Sequence, residues 1–548
     1  MTQRGGAVAG RQAAVTPGGP VIAGRWAGTQ RQWRVVLVWL LCVIAAFLCY
    51  LRLGSTRAVD SDGSAQALQA WDMLHGNVLL HGWTLSDVSF YTTELPQYVV
   101  VELVRGLGAD VVNVAAAMTF TLVLLLSALL AKGTATGASA VARVLITTGI
   151  MVAPEVSAGV KIFVSSPDHL GTTVPVLLVW LILDRAPRRW FVPVIAAALL
   201  GWAVIADSLV LVIGVLPVVL VCAARLGRAV AKREPLRSQW YEIALGVGAL
   251  AAVAAARVAL RTIRGAGGFV VKAPIAHLHG VSALPHAFAV TGQGLLLLTG
   301  ADIFGRGAAG AGSVFAWVHL AGAAAACLGV GLAMRRYLRD RGLVDQILVA
   351  AIAVNLAAYV ITTQSSSILL SREIVAVLPF SAVLAGRMLA DHVLAIRGAP
   401  IVLLVLLGGY LGGLGYALAQ PPAQPANQQL TSWLAAHHLR SGLAGYWQSS
   451  VVTLASGDHI RLRQVTVTGG RVVPYHWESS ARWYDPRQAS ANFMVLTTGT
   501  SEYPGFTDET AVLATFGRPA QTYHLGAYEV LVWHQNLLGD LGGEPRSG

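Results

Sequence analysis

Two aspartates, Asp60 and Asp62, stand in front of a run of small and apolar residues in the segment VDSDGSAQALQAWDMLHGN, positions 59–77. An ionised carboxylate of this kind can act as a general base and take a proton from an attacking hydroxyl group. Asp62 or Ser64 would also cap the N-terminus of the helix that follows, where the helix dipole favours a carboxylate. The two roles are compatible, and the spacing alone favours capping.

Further ionisable residues adjoin apolar runs later in the chain. Arg372 follows the polar segment QSSSILLS, where it suits an anion at a helix N-terminus or an arginine that snorkels to water. Lys161 is a weaker candidate for the same task. Asp168 and His169, in SSPDHLGTT, either cap the apolar run that follows or orient a ligand, and a divalent cation beside the two aspartates stays an open option.

The elements that must position these residues cross a membrane. The chain has 548 residues, 55% of them hydrophobic and 12% charged, with a mean hydropathy of +0.62, which excludes an ordinary water-soluble globule. A span needs roughly 20 apolar residues. A shorter, Gly-broken segment at 287–301 is interpreted as re-entrant or interfacial. Eleven spans are predicted, near 35–53, 112–131, 139–154, 170–184, 191–205, 207–224, 241–260, 313–334, 343–362, 373–390 and 400–418.

The lysines and arginines outside the spans predict the orientation. With the N-terminus in the cytoplasm, the inward segments before residue 420 hold twenty of them and the outward segments hold nine. This asymmetry fits the rule that cytoplasmic loops are positively charged. We therefore expect a disordered, basic cytoplasmic tail at 1–34, a transmembrane domain at 35–419 with a long first outer loop at 54–111, and an extracytoplasmic remainder.

The final part of the chain, 420–548, is predicted to be a small α/β domain. A Pro- and Gln-rich linker opens it, and Leu430, Trp433 and Leu434 follow at helical spacing. Its fourteen aromatic residues could form a sugar-binding platform or the domain core, and the core interpretation is favoured. Strand-like runs lie around 451–454, 460–467, 493–496 and 528–533.

Several classes of protein find no support in the sequence. The four cysteines lie in apolar runs, so neither a disulfide framework nor a CxxC metal site is indicated. The net charge of +12 is spread over short loops, which argues against a nucleic-acid partner. Nucleotide-binding loops, a GxSxG elbow and an HExxH motif are absent. Asp207, between two apolar runs, is interpreted chiefly as a turn residue. His277, His279 and His286 are treated as loop residues.

The string DGSAQALQAWDML, from Asp62, resembles the first-loop signature of the GT-C class of polyprenyl-phosphate-sugar-dependent glycosyltransferases. In that class an acidic residue after the first span precedes an Ala/Leu-rich surface helix. The segment FYTTELPQY, residues 90–98, is similar to the aromatic and Pro-Leu segment that leads into the second span of those enzymes. The sequence departs from the common pattern at Gly63, where a second acid is usual, so that Asp60 would have to supply it.

The resemblance implies an enzyme that acts at the outer face of the cytoplasmic membrane. It would transfer a sugar from a polyprenyl-phosphate donor to a cell-envelope glycan or glycolipid and invert the configuration of the anomeric carbon. The bias toward Ala, Gly, Arg and Val fits a GC-rich bacterium such as an actinobacterium. A flippase or transporter of a lipid-linked saccharide is the alternative, and an envelope scaffold is a third. The implied site residues are Asp62 as base, Asp60 as its partner, Arg372 and then Lys161 for the donor phosphate, and Asp168, His169 and Glu94 as further candidates.

Overall fold

A computed structural model describes residues 21–155, 158–166, 168–274, 276–304, 311–337, 342–499 and 505–542. The chain divides into two compact units, with the boundary between Phe47 and Leu48. Residues 1–20 of the predicted tail lie outside the described residues, and the first helix begins at Val21.

The part of the chain before residue 420 is mostly helical. Its α-helices are α1 (Val21–Gly54), α2 (Ser61–Leu74), α3 (Glu94–Arg105), α4 (Asp110–Lys132), α5 (Gly137–Met151), α6 (Ala158–Val160), α7 (Leu170–Arg185), α8 (Phe191–Ala206), α9 (Leu216–Ala231), α10 (Trp240–Gly265), α11 (Leu284–Leu298), α12 (Ala311–Tyr337), α13 (Leu343–Ile361), α14 (Val377–Ala395) and α15 (Ala399–Leu418). Short π-helical turns, Lys161–Ser165 and Leu211–Val215, lead toward α7 and α9. The 3-10 helices are Leu236–Gln239, Val281–Ala283, Thr363–Ser366 and Ile368–Ile374.

Among the described residues, nine helices are long and apolar enough to span a membrane, or ten if the bent pair Ala158–Ser165 and Leu170–Arg185 is one broken span. The polytopic helical domain predicted from the sequence is confirmed, but the predicted count of eleven is not reached. Two predicted spans, 139–154 and 191–205, form helices of only 15 and 16 residues. The segment Val281–Leu298, expected to be re-entrant or interfacial, has the length and apolarity of a span.

The segment between α1 and α4 folds as a compact layer on one end of the helical bundle. Helix α2 is buried on nearly all sides because it packs against α3, against α4 and against helix α17 (Tyr446–Ala455) of the C-terminal domain. The sequence predicted a helix on the membrane surface; the helix is present, but the surface placement is wrong because the C-terminal domain covers it. Leu95, Tyr98 and Phe269 contribute to the apolar core of this layer.

The C-terminal domain is the small α/β domain that the sequence predicted. The elements of this domain are α16 (Gln428–Ala436), α17 (Tyr446–Ala455), α18 (Glu509–Phe516), β3 (Ser441–Ala444), β4 (Arg461–Thr468), β5 (Arg471–Pro474), β6 (Ser479–Ser480), β7 (Phe493–Thr497), β8 (Gln521–Leu525) and β9 (Tyr528–Val532), with 3-10 helices Ala481–Tyr484 and Leu537–Gly539. The main sheet of the domain has the strand order β5-β4-β3-β7-β9-β8 and mixes parallel and antiparallel pairs. One expected strand, 451–454, is instead part of α17.

A second, three-stranded sheet joins the C-terminal domain to the helical domain. Strand β1 (Trp83–Leu85) lies between β2 (Val270–Val271) and β6, and Thr84 pairs with Ser479. Trp83 also packs edge-on against Trp483, with 4.9 Å between the ring centroids. These backbone and ring contacts hold the C-terminal domain over one end of the bundle.

Candidate active site

A cavity of about 640 Å³ lies between the helical domain and the C-terminal domain. Asp62, Asp168, His169 and Arg372 line it from the helical side. The opposite wall comes from the C-terminal domain. Its residues include Tyr446, Trp447, Val465, Thr466, Val467, Tyr475, Trp477, Glu478, Phe506 and Asp508. Four residues predicted from separate parts of the sequence therefore meet in one cavity.

Arg372 links two of the predicted acids. Its Nη1 lies 3.4 Å from Oδ2 of Asp62 and 3.3 Å from Oδ2 of Asp168. Asp168 Oδ1 also accepts hydrogen bonds from Ser166 and Gln66, at 3.0 and 3.4 Å. The buried Nε of Arg372 has no hydrogen-bond partner among the described residues. The side chain is nevertheless 37% exposed and lines the cavity, so the guanidinium presents positive charge to it, as the binding of an oxyanion requires.

Asp60 caps helix α2 and lies behind the cavity wall. Its side chain accepts a hydrogen bond of 3.2 Å from the Gly63 amide, and Lys161 Nζ is 3.8 Å from its Oδ2. The sequence predicted Asp62 or Ser64 as the cap. The helix begins at Ser61, two residues earlier than a cap at Asp62 would imply, so Asp60 takes that role. Burial, followed by the charges of Asp62 and Asp168, raises the pKa of Asp60 above its ordinary value.

The close packing of α2 against α4 explains why a glycine follows Asp62. A Cβ atom added at Gly63 would lie 2.7 Å from Cγ1 of Val112, closer than real side-chain contacts allow. A second acid directly after Asp62 could not be accommodated on this backbone. The second carboxylate near Asp62 is supplied instead by Asp168, through their shared contact with Arg372.

His169 is held between two carboxylates at the edge of the same cavity. Its Nδ1 lies 2.8 Å from Oδ2 of Asp207, and its Nε2 lies 3.1 Å from Oε1 of Glu373. Both ring nitrogens can donate at once only in the imidazolium form. Asp207 also accepts from the Leu209 amide at 2.8 Å, so its turn-forming role and its contact with His169 coexist.

Glu94 is buried at the start of α3, away from the cavity lining. Its carboxylate is hydrogen-bonded to Thr93, and Oε1 has no partner among the described residues. Burial raises the pKa of Glu94 to about 8. A Cβ atom at Gly171 would lie 2.3 Å from this Oε1, so the absent side chain of Gly171 makes room for it. Glu94 is therefore a buried packing neighbour of α7 and does not belong to the lining of the cavity.

Tyr446 and Glu478, neither of which the sequence singled out, complete the site from the C-terminal domain. The Tyr446 hydroxyl lies 2.6 Å from Oδ1 of Asp62 and 2.6 Å from Oε2 of Glu478. One hydroxyl proton cannot serve two carboxylates, so one of the two acids must itself carry a proton. Burial, and then the charge of Asp62, raises the pKa of Glu478 well above its ordinary range.

The proton in this trio belongs on Glu478. Arg372 contacts Asp62 directly, whereas Glu478 has no ion pair with a described arginine or lysine, and its pKa is the one that burial raises. The protonated Glu478 then donates to the oxygen of Tyr446, and Tyr446 donates to Asp62. Glu478 has a backbone φ of +49°, a left-handed conformation that is uncommon outside glycine and recurs at functional sites. No local sequence pattern could have identified this pair, because both residues lie more than 380 positions after Asp62.

A second cavity, of about 190 Å³, adjoins the first beneath His169. Asp87, Val88 and His169 line both cavities. The second runs between the π-helical turn before α9 and the end of α13, where Val212 and Ala358 line it. Through these shared residues, the second cavity extends the first one toward the membrane helices.

The described residues contain no group of three or more histidine, cysteine, aspartate or glutamate side chains arranged to hold a metal ion. Lys161, which the sequence offered as a phosphate ligand, is turned toward Asp60 and does not belong to the lining of the main cavity as described. His277 and His279 lie in the loop before α11, as the sequence indicated, but the loop assignment of His286 is wrong because this residue belongs to the first turn of α11.

The fold is similar to that of known membrane proteins. ArnT from Cupriavidus metallidurans, a GT-C protein whose crystal structure holds undecaprenyl phosphate, superposes with a TM-score of 0.52 at 14% sequence identity, over 92% of this chain and 99% of that chain. The Archaeoglobus fulgidus oligosaccharyltransferase, tethered to an acceptor peptide, gives a TM-score of 0.43 at 13% identity, over 84% of this chain and 69% of that one. The sequence matches no protein-family model and no curated protein.

At 14% identity the likeness to ArnT shows the fold. The GT-C-like membrane fold with a C-terminal α/β domain, predicted from the sequence, is confirmed. The protein is accordingly a multi-pass membrane protein of GT-C-like architecture.

Proposed function

We propose that this protein is a glycosyltransferase that moves a sugar from a polyprenyl-phosphate donor to a hydroxyl group of a cell-envelope glycan or glycolipid. The observation that carries the proposal is the meeting of Asp62 and Arg372 in a cavity shared by the two domains. The fold supports it, since ArnT, which shares this architecture, binds undecaprenyl phosphate. The cavity faces the extracytoplasmic side, and the N-terminus is cytoplasmic, as the distribution of basic residues predicts.

Asp62 is the general base of this reaction. The acceptor hydroxyl attacks the anomeric carbon, the bond from that carbon to the donor phosphate oxygen breaks, and the phosphate leaves with the bonding electrons. The hydroxyl proton passes to the Asp62 carboxylate. Attack from the face opposite the phosphate inverts the anomeric configuration. Correctly placed general bases contribute about 10²–10⁴ in rate.

Arg372 binds the departing phosphate. Its guanidinium already lies beside the base, and the part of the side chain that lines the cavity can donate to a phosphate oxygen as negative charge develops. The smaller cavity beneath His169 supplies a route for the polyprenyl chain between α13 and the turn before α9. His169 lies where the two cavities meet, and its contacts with Asp207 and Glu373 fix its ring there.

Tyr446 and Glu478 are positioning residues for the base. The Tyr446 hydroxyl fixes one oxygen of Asp62, which leaves the other to face Arg372 and the substrates. The proton on Glu478 forces the Tyr446 hydrogen toward Asp62. Asp60 caps α2 and pairs with Lys161, so it stabilises the start of this helix and takes no part in proton transfer.

A reconstituted transfer assay tests the proposal. Purified protein in proteoliposomes is incubated with a polyprenyl-phosphate-linked pentose or hexose and an envelope glycan acceptor. The masses of the products are then determined by mass spectrometry. We expect a mass increase of one sugar with inverted anomeric configuration. Movement of the labelled donor between leaflets, without a new glycosidic bond, would instead identify a carrier.

A further inference from the structure

A third cavity, of about 490 Å³, lies in the C-terminal domain and is lined by arginines. Arg461 and Arg463 reach it from β4, and Arg482 and Arg487 from the segment after β6. Residues 421–548 contain eight arginines and no lysine, against nine acidic residues. Half of the basic residues of a nearly neutral domain thus surround a single cavity.

The charge around this cavity is not balanced by the protein. None of its nine described lining residues is acidic. Arg461 pairs with Asp458 at 2.9 Å, and it is the one arginine of the four that forms an ion pair with a described carboxylate. The same Asp458 is the nearest counter-charge to Arg463, and Arg482 and Arg487 form no ion pair with a described carboxylate. Four guanidinium groups that share one carboxylate around a polar cavity favour the binding of an anion.

Arg463 shows the strongest preorganisation in this group. Its guanidinium stacks on the ring of Trp483, 4.1 Å from the centroid. Burial lowers the pKa of Arg463 to about 10, so the group stays charged at neutral pH although it has lost much of its hydration. A bound anion would restore the lost interactions, since planar, stacked guanidinium groups are suited to phosphate and carboxylate.

Strand β4 connects this cavity with the catalytic one. Side chains two apart on a strand share a face, and Arg461, Arg463, Val465 and Val467 alternate in this way. The first two line the arginine cavity, whereas Val465 and Val467 line the catalytic cavity. At about 3.3 Å per residue, the two ends of this row are roughly 20 Å apart, a distance that a short oligosaccharide spans.

We propose that the arginine cavity binds an acidic group, phosphate or carboxylate, of the saccharide acceptor, and so selects anionic glycans whose reacting hydroxyl lies at Asp62. The assignment of the ligand as acceptor rests on the proposed transfer function. The arginine cavity is lined only by residues of the C-terminal domain, whereas Arg372, which is assigned to the donor phosphate, lines the catalytic cavity from the helical domain.

Direct binding of small probes tests the site independently of catalysis. Glucose 6-phosphate, glucuronic acid and neutral glucose are titrated into the full-length protein in phosphatidylcholine nanodiscs. We expect the two charged sugars to bind and glucose to bind more weakly by about tenfold or more. The double variant Arg482→Gln/Arg487→Gln changes exposed residues and should remove this preference, whereas the control Arg471→Gln/Arg518→Gln, exposed arginines outside the cavity, should retain it.

Transfer kinetics then separate the two proposals. The Arg482→Gln/Arg487→Gln variant should raise KM for a charged acceptor and leave kcat unchanged, and Asp62→Asn should bind the probes like the wild type while losing transfer. Probe binding without any transfer would refute the glycosyltransferase and keep the anion site. Equal probe affinity in wild type and double variant would refute the site. Charge-dependent binding seen only with phosphatidylglycerol nanodiscs, and not with soluble sugars, would make it a lipid-headgroup site and overturn the acceptor assignment.

Discussion

Two arginines at opposite ends of the helical bundle make the same type of contact with two acids each, yet they differ in geometry. Arg387 lies 2.7 Å from Asp184 and 2.8 Å from Asp345, with its side chain 10% exposed. Arg372 lies 3.4 and 3.3 Å from its two acids, with its side chain 37% exposed beside a cavity.

The comparison separates a structural ion pair from a binding group. Arg387 also donates to the carbonyl of Leu130, so its guanidinium is satisfied, and it ties α4, α7, α13 and α14 together. Arg372 has long contacts and an unpartnered Nε. The residue types are alike at the two ends. Long ion-pair contacts and exposure to a cavity distinguish Arg372 from the structural arginine.

The largest effect is expected from Asp62→Asn. Asparagine preserves the shape and hydrogen-bonding capacity of the side chain, but the loss of the base should lower kcat by about 10²–10⁴. Circular dichroism and the melting temperature should stay near wild type. The control is Glu509→Gln, which removes an exposed carboxylate from α18 and leaves the helix cap at Asp508 in place. Wild-type turnover in Asp62→Asn would refute the assignment of the base.

Glutamine in place of each arginine turns the comparison into a matched pair. Arg372→Gln should reduce kcat/KM for the donor by about 100-fold, since charge-assisted contacts to phosphate are worth roughly 1.5–3 kcal/mol each. Arg387→Gln should instead destabilise the protein by about 1–3 kcal/mol, because two half-buried acids and the Leu130 carbonyl lose their donor. Thermal unfolding and donor kinetics are measured on both. The same profile in both variants would remove the distinction drawn here.

Tyr446→Phe probes the contribution of the C-terminal domain to catalysis. Losing the hydrogen bond to an ionised carboxylate should cost about 1.5–3 kcal/mol, or roughly 10- to 100-fold in kcat. KM for the donor should change little because Arg372 is untouched. Tyr523→Phe, on the far edge strand β8, is the matched control. A drop in donor affinity with unchanged kcat would assign Tyr446 to binding instead.

The smallest effect concerns pH. Since the pKa of Glu478 is raised in the folded protein, the stability that its proton contributes is complete at low pH and is lost as the pH rises through the folded pKa. Ionisation would also break the donation to Tyr446, so activity should decline on the alkaline side. Glu478→Gln keeps a neutral donor and should flatten that decline, whereas Glu509→Gln should not. An unchanged alkaline profile in Glu478→Gln would place the titration elsewhere.

Much of the helical half of the site could be predicted from the sequence. Asp62, Asp168, His169 and Arg372 are ionisable residues next to apolar runs, and such positions are rare enough to stand out. Their convergence in one cavity follows from adjacent ends of neighbouring helices.

The other half could not be predicted, because it depends on long-range packing. Tyr446 and Glu478 belong to a domain whose aromatic and acidic residues are ordinary in sequence, and long-range contacts such as the β1–β6 pairing and the packing of α17 on α2 place that domain over α2. The same covering explains why α2 is buried and not a surface helix. The mistaken strand at 451–454 has a related cause: a short apolar run does not distinguish a buried helix such as α17 from a strand.

The orientation of the cavity is tested most directly by labelling in intact cells. In a variant with the four cysteines replaced by serine, Thr507→Cys lies on the exposed rim of the cavity and Arg397→Cys lies at the opposite end of the bundle, after α14. We predict that a membrane-impermeant maleimide labels Cys at 507 in intact cells and Cys at 397 only after permeabilisation. The reverse pattern would put Asp62 and Arg372 on the cytoplasmic side and contradict transfer at the outer face.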